Sequence, residues 1–308
     1  MRSERKKKKR KRKSLKVLGF ILLILFIGGG AYATSIYQSL LGTINTMQGT
    51  EHKTDKRVED ITFKNKDPFS LLILGVDERK NDSGRSDTMI VMTVNPKKES
   101  IQLLSIPRDT RTEIIGRGTT EKMNHAYAYG GVTMSINTVE AYLDIPIDYY
   151  VKMNMKGFQD IVNAVGGITV NNDMNLNYKN YSFAKGTIDL DGKEALIYSR
   201  IRKEDPRGDF GRQMRQRQVI QAVIKEGASL STLTNYDDIL KAIGKNVETN
   251  LTFNEMLSIQ KNYKSSLNNI EQFTLAGENQ RVDGLWYNIV SDETKTEAQN
   301  RLKMHLGI

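Results

Sequence analysis

The sequence predicts a layered α/β fold, and three observations carry that prediction. Short apolar runs rich in β-branched residues recur from about residue 67 onward. Amphipathic helical stretches alternate with them, which is the pattern of sheets covered by helices. The connections between the first three runs are short, which makes those strands neighbours in one sheet. With 308 residues the chain has length for one large domain or two small ones.

The elements follow in order. Leu71 to Val76 and Met89 to Val94 read as buried strands. "SIQLLSIP", Ser100 to Pro107, is a third, stopped by its proline. Val132, Ile136, Val139 and Leu143 repeat at +4, +7 and +11, an amphipathic helix. "IDYYVKM", Ile147 to Met153, is again a strand. Phe158, Ile161, Val162 and Val165 mark a helix closed by Gly166-Gly167, and Ile168 to Val170 form the next strand. A helix is expected from Phe210 to about Ala228. Thr252 and Glu255 form a capping box before another, and Ser291 or Asp292 caps a last one running to His305.

Ahead of this domain the composition changes. The formal net charge is +10. Residues 1–16 hold eleven Lys/Arg against Glu4, so this segment carries the whole excess and the rest of the chain is balanced. A nucleic-acid partner is therefore not expected. Residues 17–37, "VLGFILLILFIGGGAYATSIY", carry no charge and are long enough to cross a hydrocarbon core. A basic head before the span keeps the N-terminus cytoplasmic and sends the C-terminal part outside, a single-pass type II arrangement. A cleaved signal peptide is the alternative, with Ala31 to Ala33 as its small-residue site. Residues 38–66 are polar and read as a stalk, and residues 67–308 as the domain. The chain has no cysteine, which excludes disulfides and thiolate chemistry and fits a bacterium whose exterior does not manage disulfides.

Residues 71–94, "LLILGVDERKNDSGRSDTMIVMTV", place many charges where two core strands end. Asp77 follows one strand and Asp87 precedes the next, so the two carboxylates meet at one sheet edge. Like charges repel unless a cation lies between them. Magnesium is one answer, since it takes one or two carboxylates plus substrate phosphates. Arg79 and Arg85 are another, and a plain solvated hairpin loop is the third. Arginine accumulates in two further stretches: Arg108 and Arg111 after the third strand, and Arg200, Arg202, Arg207, Arg212, Arg215 and Arg217 between Ile197 and Gln218. If extended, Arg200 and Arg202 point to one face. On the following helix Arg212, Arg215, Gln216 and Val219 share a face, with arginine near a helix start that already favours anions. Guanidinium forks match phosphate oxygens bidentately, so these segments can converge on a pyrophosphate. The competing reading pairs them with Glu204, Asp205 and Asp209.

Other signals are weaker. His125 is one of three histidines, with His52 in the stalk and His305 near the terminus, so a zinc site lacks support, and it reads as structural or substrate-lining. Neither a G-x-S-x-G elbow nor a Walker A loop exists. Gly116 to Glu121 reads as a turn, and Tyr127, Tyr129, Tyr149 and Tyr150 as core.

The motifs "LLILGVD", "GRSDTM", "LLSIPRDT", "KMNHAYAYGG", "IPIDYYV", "VGGITV", "LDGKEALIYSRIRKED" and "GDFGRQMRQRQVI" occur in the order found in the LytR-CpsA-Psr family, which the chain resembles over residues 71–225. The resemblance is to the family's teichoic-acid-transferring members, and residues 226–308 match weakly. It implies a three-layer domain with a mixed central sheet, a membrane anchor and a groove for a lipid tail. It implies a phosphotransferase of the Gram-positive cell surface that moves a glycopolymer from a polyprenyl-pyrophosphate carrier to peptidoglycan. Carried over by motif, Asp77 and Asp87 hold Mg2+. Arg85, Arg108, Arg200, Arg202, Arg212 and Gln216 surround the pyrophosphate, with Arg79 and Arg215 in lesser parts, and Asp87 and Arg108 are the catalytic pair. The rival readings are a membrane-bound regulator, a binding module that holds the lipid-linked glycan without turning it over, and a hydrolase.

Overall fold

The computed structural model describes residues 42, 47–57, 59–77, 84–228, 244 and 246–308. Among the described residues no helix is long and apolar enough to cross a membrane, and the span expected at residues 17–37 lies outside them.

Three strands open the domain: β1 (Phe69–Val76), β2 (Ser86–Asn95) and β3 (Ser100–Ser105). A small hairpin follows, β4 (Arg111–Ile114) with β5 (Thr119–Lys122). Helix α1 (His125–Leu143) leads to β6 (Tyr149–Asn154), and α2 (Met155–Ala164) leads to β7 (Ile168–Asn172). Then come β8 (Leu176–Tyr178), β9 (Tyr181–Phe183) and β10 (Gly186–Leu190), the last paired with β7. Helices α3 (Gly192–Arg200) and α4 (Asp209–Gly227) follow. The chain ends with β11 (Val247–Thr249), α5 (Phe253–Asn262), β12 (Asn269–Thr274), the hairpin β13 (Glu278–Val282) with β14 (Leu285–Ile289), and α6 (Asp292–Leu306).

The main sheet runs β11-β6-β1-β2-β3-β12. Strand β1 is antiparallel to β2 and parallel to β6, and β3 is parallel to β12, so the sheet is mixed. The apolar runs are unbroken because both faces are covered. On one face Leu72, Leu74 and Leu104 pack with Ile136 and Val139 of α1 and Leu302 of α6. On the other, Leu71, Ile73, Ile90 and Leu103 meet Ile220 and Ile224 of α4 and Met256 of α5. Helix, sheet and helix make three layers. Truncating a fully buried leucine such as Leu72 to alanine costs about 2–5 kcal/mol. A separate cluster of Val162, Leu190, Ala195, Tyr198 and Val219 ties α2 and α3 to α4, which holds α4 over the sheet edge.

The anticipated stop signals work as expected. Thr252 and Glu255 cap α5 reciprocally, Ser291 caps α6, and Gly166 and Gly167 take φ of +90 and +91 after α2. The segment read as a stalk joins the fold from Met47 onward: Met47 is buried, Gln48 bridges Thr249, and Arg57 Nη2 donates to Asp148 at 2.9 Å. The small hairpins go beyond what the sequence predicts, because their strands are only three to five residues long, too short for a clear period-2 pattern.

One detail of β2 matters for the site. Gly75 pairs with Thr88, but Val76 pairs with Ser86, so Asp87 is an extra residue, a β-bulge. Bulges bend a strand and re-aim a side chain. Here the bulge leaves the Ser86 side chain buried and turns Asp87 into a pocket.

Candidate active site: an arginine pocket at the sheet edge

A cavity of about 320 Å³ opens where β1 and β6 end and β2 begins. Strand β1 contributes Ile73 and Gly75, and Asp77 follows it; the β2 bulge contributes Asp87 and Thr88. Arg108 comes from the turn after β3, Arg200 from the last turn of α3, and Arg202 from just beyond. Helix α4 presents Arg212, Gln216 and Ile220, a stripe at i, i+4 and i+8. Met153, Met155, Phe158 and Leu196 line the rest. The pocket thus joins a charged rim to an apolar wall.

Four guanidinium groups against two carboxylates line the cavity. Arg108 Nη1 donates to Asp87 at 2.7 Å, and its Nε lies 3.7 Å from Asp109. Burial alone would lower the Arg108 pKa, but Asp87, then Asp109 and Asp209, outweigh it and raise it. Arg212 is pushed the other way. Burial lowers its pKa most, Asp209 opposes, and the nearby charges of Arg108 and Arg202 lower it further. Its Nη2 reaches Asp209 at 2.6 Å, and Arg202 Nε lies 3.7 Å from the same oxygen. Arg212 Nε is buried with no hydrogen-bond partner. Arg200 Nη1 donates to the sulfur of Met155 at 3.1 Å rather than to a carboxylate. Crowded cations with an orphaned donor are the electrostatics of an anion site, and a bound anion with several oxygens relieves both.

Asp77 and Asp87 line this one cavity, and the Asp77 backbone N–H donates to the Arg85 carbonyl at 3.2 Å across the base of the loop. Among the described residues no group of three or more His, Cys, Asp or Glu is placed to hold a metal. Two hard-oxygen ligands beside a phosphate-sized anion site fit magnesium, whose shell is completed by water and phosphate. They do not fit zinc.

The pocket brings together Asp77, Asp87, Arg108, Arg200, Arg202, Arg212 and Gln216 from the sequence reading. Three expectations change. Arg200 and Arg202 are not on an extended segment; Arg200 ends α3, whose Asp191–Glu194 capping box the sequence reading passed over. Arg215 does not face the pocket. It is fully buried, bonded to the Asp205 carboxylate, and its Nε donates to the Tyr198 carbonyl at 3.0 Å. Arg85 is exposed and lies outside the lining. Arg79 lies outside the described residues. Thr88, Asn154 and Phe158 line the cavity and were missed.

His125 is also outside the lining. Its Nδ1 is 2.8 Å from Glu121, which accepts from Tyr129 at 2.6 Å too, and the bonds from Tyr129 and then His125 hold that carboxyl at about 2. Tyr127, Tyr149 and Tyr150 are core residues, whereas Tyr129 is 41% exposed.

The LytR_cpsA_psr family model matches residues 34–304, most of the chain. The polyisoprenyl-teichoic acid–peptidoglycan teichoic acid transferase TagU of Bacillus cereus is 52% identical over 295 residues, covering 95% of this chain and 97% of that one. A crystal structure of Bacillus subtilis TagU superposes with a TM-score of 0.65 at 49% identity, covering 78% of this chain and 97% of that one. A chain described as "TagT bound to LI-WTA" gives a TM-score of 0.71 at 32% identity, covering 85% of this chain and 99% of that one. The chain belongs to the LytR_cpsA_psr family.

Proposed function

We propose that this LytR-CpsA-Psr protein transfers a teichoic acid from a lipid-linked carrier to peptidoglycan in cell wall assembly. The chain is a transferase, as its TagU relatives are by name. The observation that supports this reading most is the pocket itself, in which four arginines and two aspartates border an apolar wall. A polyprenyl pyrophosphate has that same division between a multiply charged head and an apolar tail.

In this reading Arg108, Arg200, Arg202, Arg212 and Gln216 hold the pyrophosphate, and Ile73, Met153, Phe158, Leu196 and Ile220 receive the first prenyl units. A muramic acid hydroxyl attacks the phosphorus on the sugar side. A new phosphodiester forms, the bond to the bridging oxygen breaks, and the hydroxyl proton leaves, in net balance, with the departing lipid phosphate. The arginines would meet the charge that grows on the equatorial and leaving oxygens, and phosphoryl transfer asks little else of a protein. Asp77 and Asp87 would hold a magnesium ion, which supplies charge neutralisation at the phosphate oxygens. Asp87 also aligns Arg108 through their 2.7 Å bond. Residues 1–37 anchor the protein in the membrane, N-terminus inside, and the described domain works outside a Gram-positive cell.

The test uses the full chain in detergent micelles with a short-chain polyprenyl-pyrophosphoryl glycan, peptidoglycan oligomers and magnesium. Mass spectrometry is expected to find a phosphodiester-linked product that disappears with chelator. Glycan released to solution instead means a hydrolase, and tight binding without product means a binding module.

A further inference from the structure

Arg217 is only 4% exposed, yet among the described residues no carboxylate pairs with it. Its Nη1 donates to the Ser105 Oγ and to the Thr274 Oγ1, each at 2.7 Å, and its Nε is buried without a partner. Burial lowers its pKa to about 10, and among the described residues no acidic neighbour offsets it. A buried guanidinium with no counter-charge costs several kcal/mol of desolvation. A methionine would fill much of the same volume without that cost. Packing therefore does not account for the charge.

Its two acceptors do. Ser105 and Thr274 are register partners at the ends of the parallel strands β3 and β12. The chain leaves β3 at Ser105 and reaches Arg108 three residues later, through Ile106, whose N–H is held by the Met89 carbonyl at 2.9 Å. Arg217 itself stands on α4, the helix whose other side presents Arg212 and Gln216. One buried side chain thus joins the strand end that delivers Arg108 to the helix that delivers Arg212. Those two cations repel each other across the pocket, so their spacing needs a tie.

We propose that Arg217 is a positioning residue for the transfer reaction, setting from the core the distance between Arg108 and Arg212. The inference rests on the function proposed above. Its charge strengthens the two bonds that make the tie, which a neutral side chain cannot match.

Arg217→Met, Arg217→Lys, Ser105→Ala and Thr274→Val decide it, made in the full chain and assayed with polyprenyl-pyrophosphoryl glycan and peptidoglycan oligomers. Arg217→Met is expected to keep or raise the thermal midpoint while kcat falls by roughly 10- to 100-fold, the range for a small misplacement of catalytic groups. KM for the donor changes less, because the clamp acts on charge that develops during transfer. Arg217→Lys, which keeps a charged donor, recovers part of the loss. Ser105→Ala and Thr274→Val each lower kcat severalfold. A folded Arg217→Met with wild-type kcat overturns the proposal. If that variant does not fold, wild-type kcat in both hydroxyl variants overturns it equally. Binding of inorganic pyrophosphate, followed by calorimetry, separates this from failure of the proposed function. A wild-type chain that binds pyrophosphate but transfers nothing defeats the function. The spacing claim is then decided by pyrophosphate affinity, which Arg217→Met is expected to weaken by the smaller factor given for KM, while wild-type affinity overturns it.

Discussion

Two groups of arginines lie along one stretch of chain, and they follow opposite rules. In the core, Asp205 is 2% exposed and accepts from Arg207 Nε at 3.0 Å, from Arg207 Nη2 at 2.9 Å and from Arg215. Arg207 Nη2 also reaches Asp173 at 3.1 Å, and Arg215 adds the Tyr198 carbonyl. Charges are matched there and donors are spent within the protein. At the pocket Asp209 is shared by Arg202 and Arg212, Asp87 serves Arg108, Arg200 rests on a sulfur, and Arg212 keeps an orphaned Nε. The first group is a finished structure. In the function proposed above, the second is half of a complex whose other half is the substrate's phosphates.

The sharpest way to break this comparison is to remove the centre of the core group. Asp205→Ala leaves two guanidinium groups without their shared carboxylate and is expected to cost about 3–5 kcal/mol of stability. Chemical denaturation measures it. A loss under ~1 kcal/mol would place Asp205 among ordinary surface pairs.

The opposite outcome is expected at the pocket. Arg108→Ala and Arg212→Ala should each slow transfer by about 10²–10³-fold, the usual effect of removing one donor to a developing anion. Their thermal midpoints should hold, and for Arg212→Ala should rise, since repulsion with Arg108 and Arg202 is relieved. A large fall in midpoint with either variant would assign these arginines to the fold instead.

Asp87→Asn separates the two roles given to that carboxylate. Transfer should fall, and the remaining activity should lose its dependence on added magnesium. Residual activity that chelator still abolishes would move the metal away from Asp87.

The smallest effect is in acid. Burial alone would raise the Asp205 pKa, but the bonds from Arg207 and Arg215 hold it far below the usual carboxylate range. A depressed folded pKa gives stability that is complete above the unfolded value and lost only as pH falls through the folded one. The core group should therefore still contribute in full at pH 5. The difference in stability between wild type and Asp205→Asn should be flat from pH 7 to pH 5 and shrink only in stronger acid. A difference already shrinking above pH 5 would mean the carboxyl is not depressed.

Much of the site could be read in the sequence because charge interrupts strong apolar patterns there. Asp77 and Asp87 stand at the ends of runs that could only be core strands, and Gln216 follows Arg212 at a helical interval. The errors have a physical cause. On a helix, Arg212 with Gln216 and Arg215 with Val219 are both acceptable stripes, and only the packed neighbours decide which stripe faces out. Here the α3 residue Tyr198 and the buried Asp205 claim Arg215, which leaves Arg212, Gln216 and Ile220 for the pocket. Arg200 and Arg202 share a face if their segment is extended, but the capping box at Asp191 and Glu194 makes it a helix up to Arg200. Arg217 was one arginine among six, and nothing local marks it as buried. Its meaning comes from strand ends far away in sequence, at Ser105 and Thr274.

The extra residue at Asp87 has a consequence for anyone reshaping this scaffold. Antiparallel strands count their residues in twos, so a single insertion cannot be absorbed further along; it changes which way a side chain points. Deleting one residue there would leave a smoother hairpin and a blank wall where the carboxylate had faced inward. Regularising the sheet, the usual first move toward a sturdier protein, would erase the chemistry before it touched the fold.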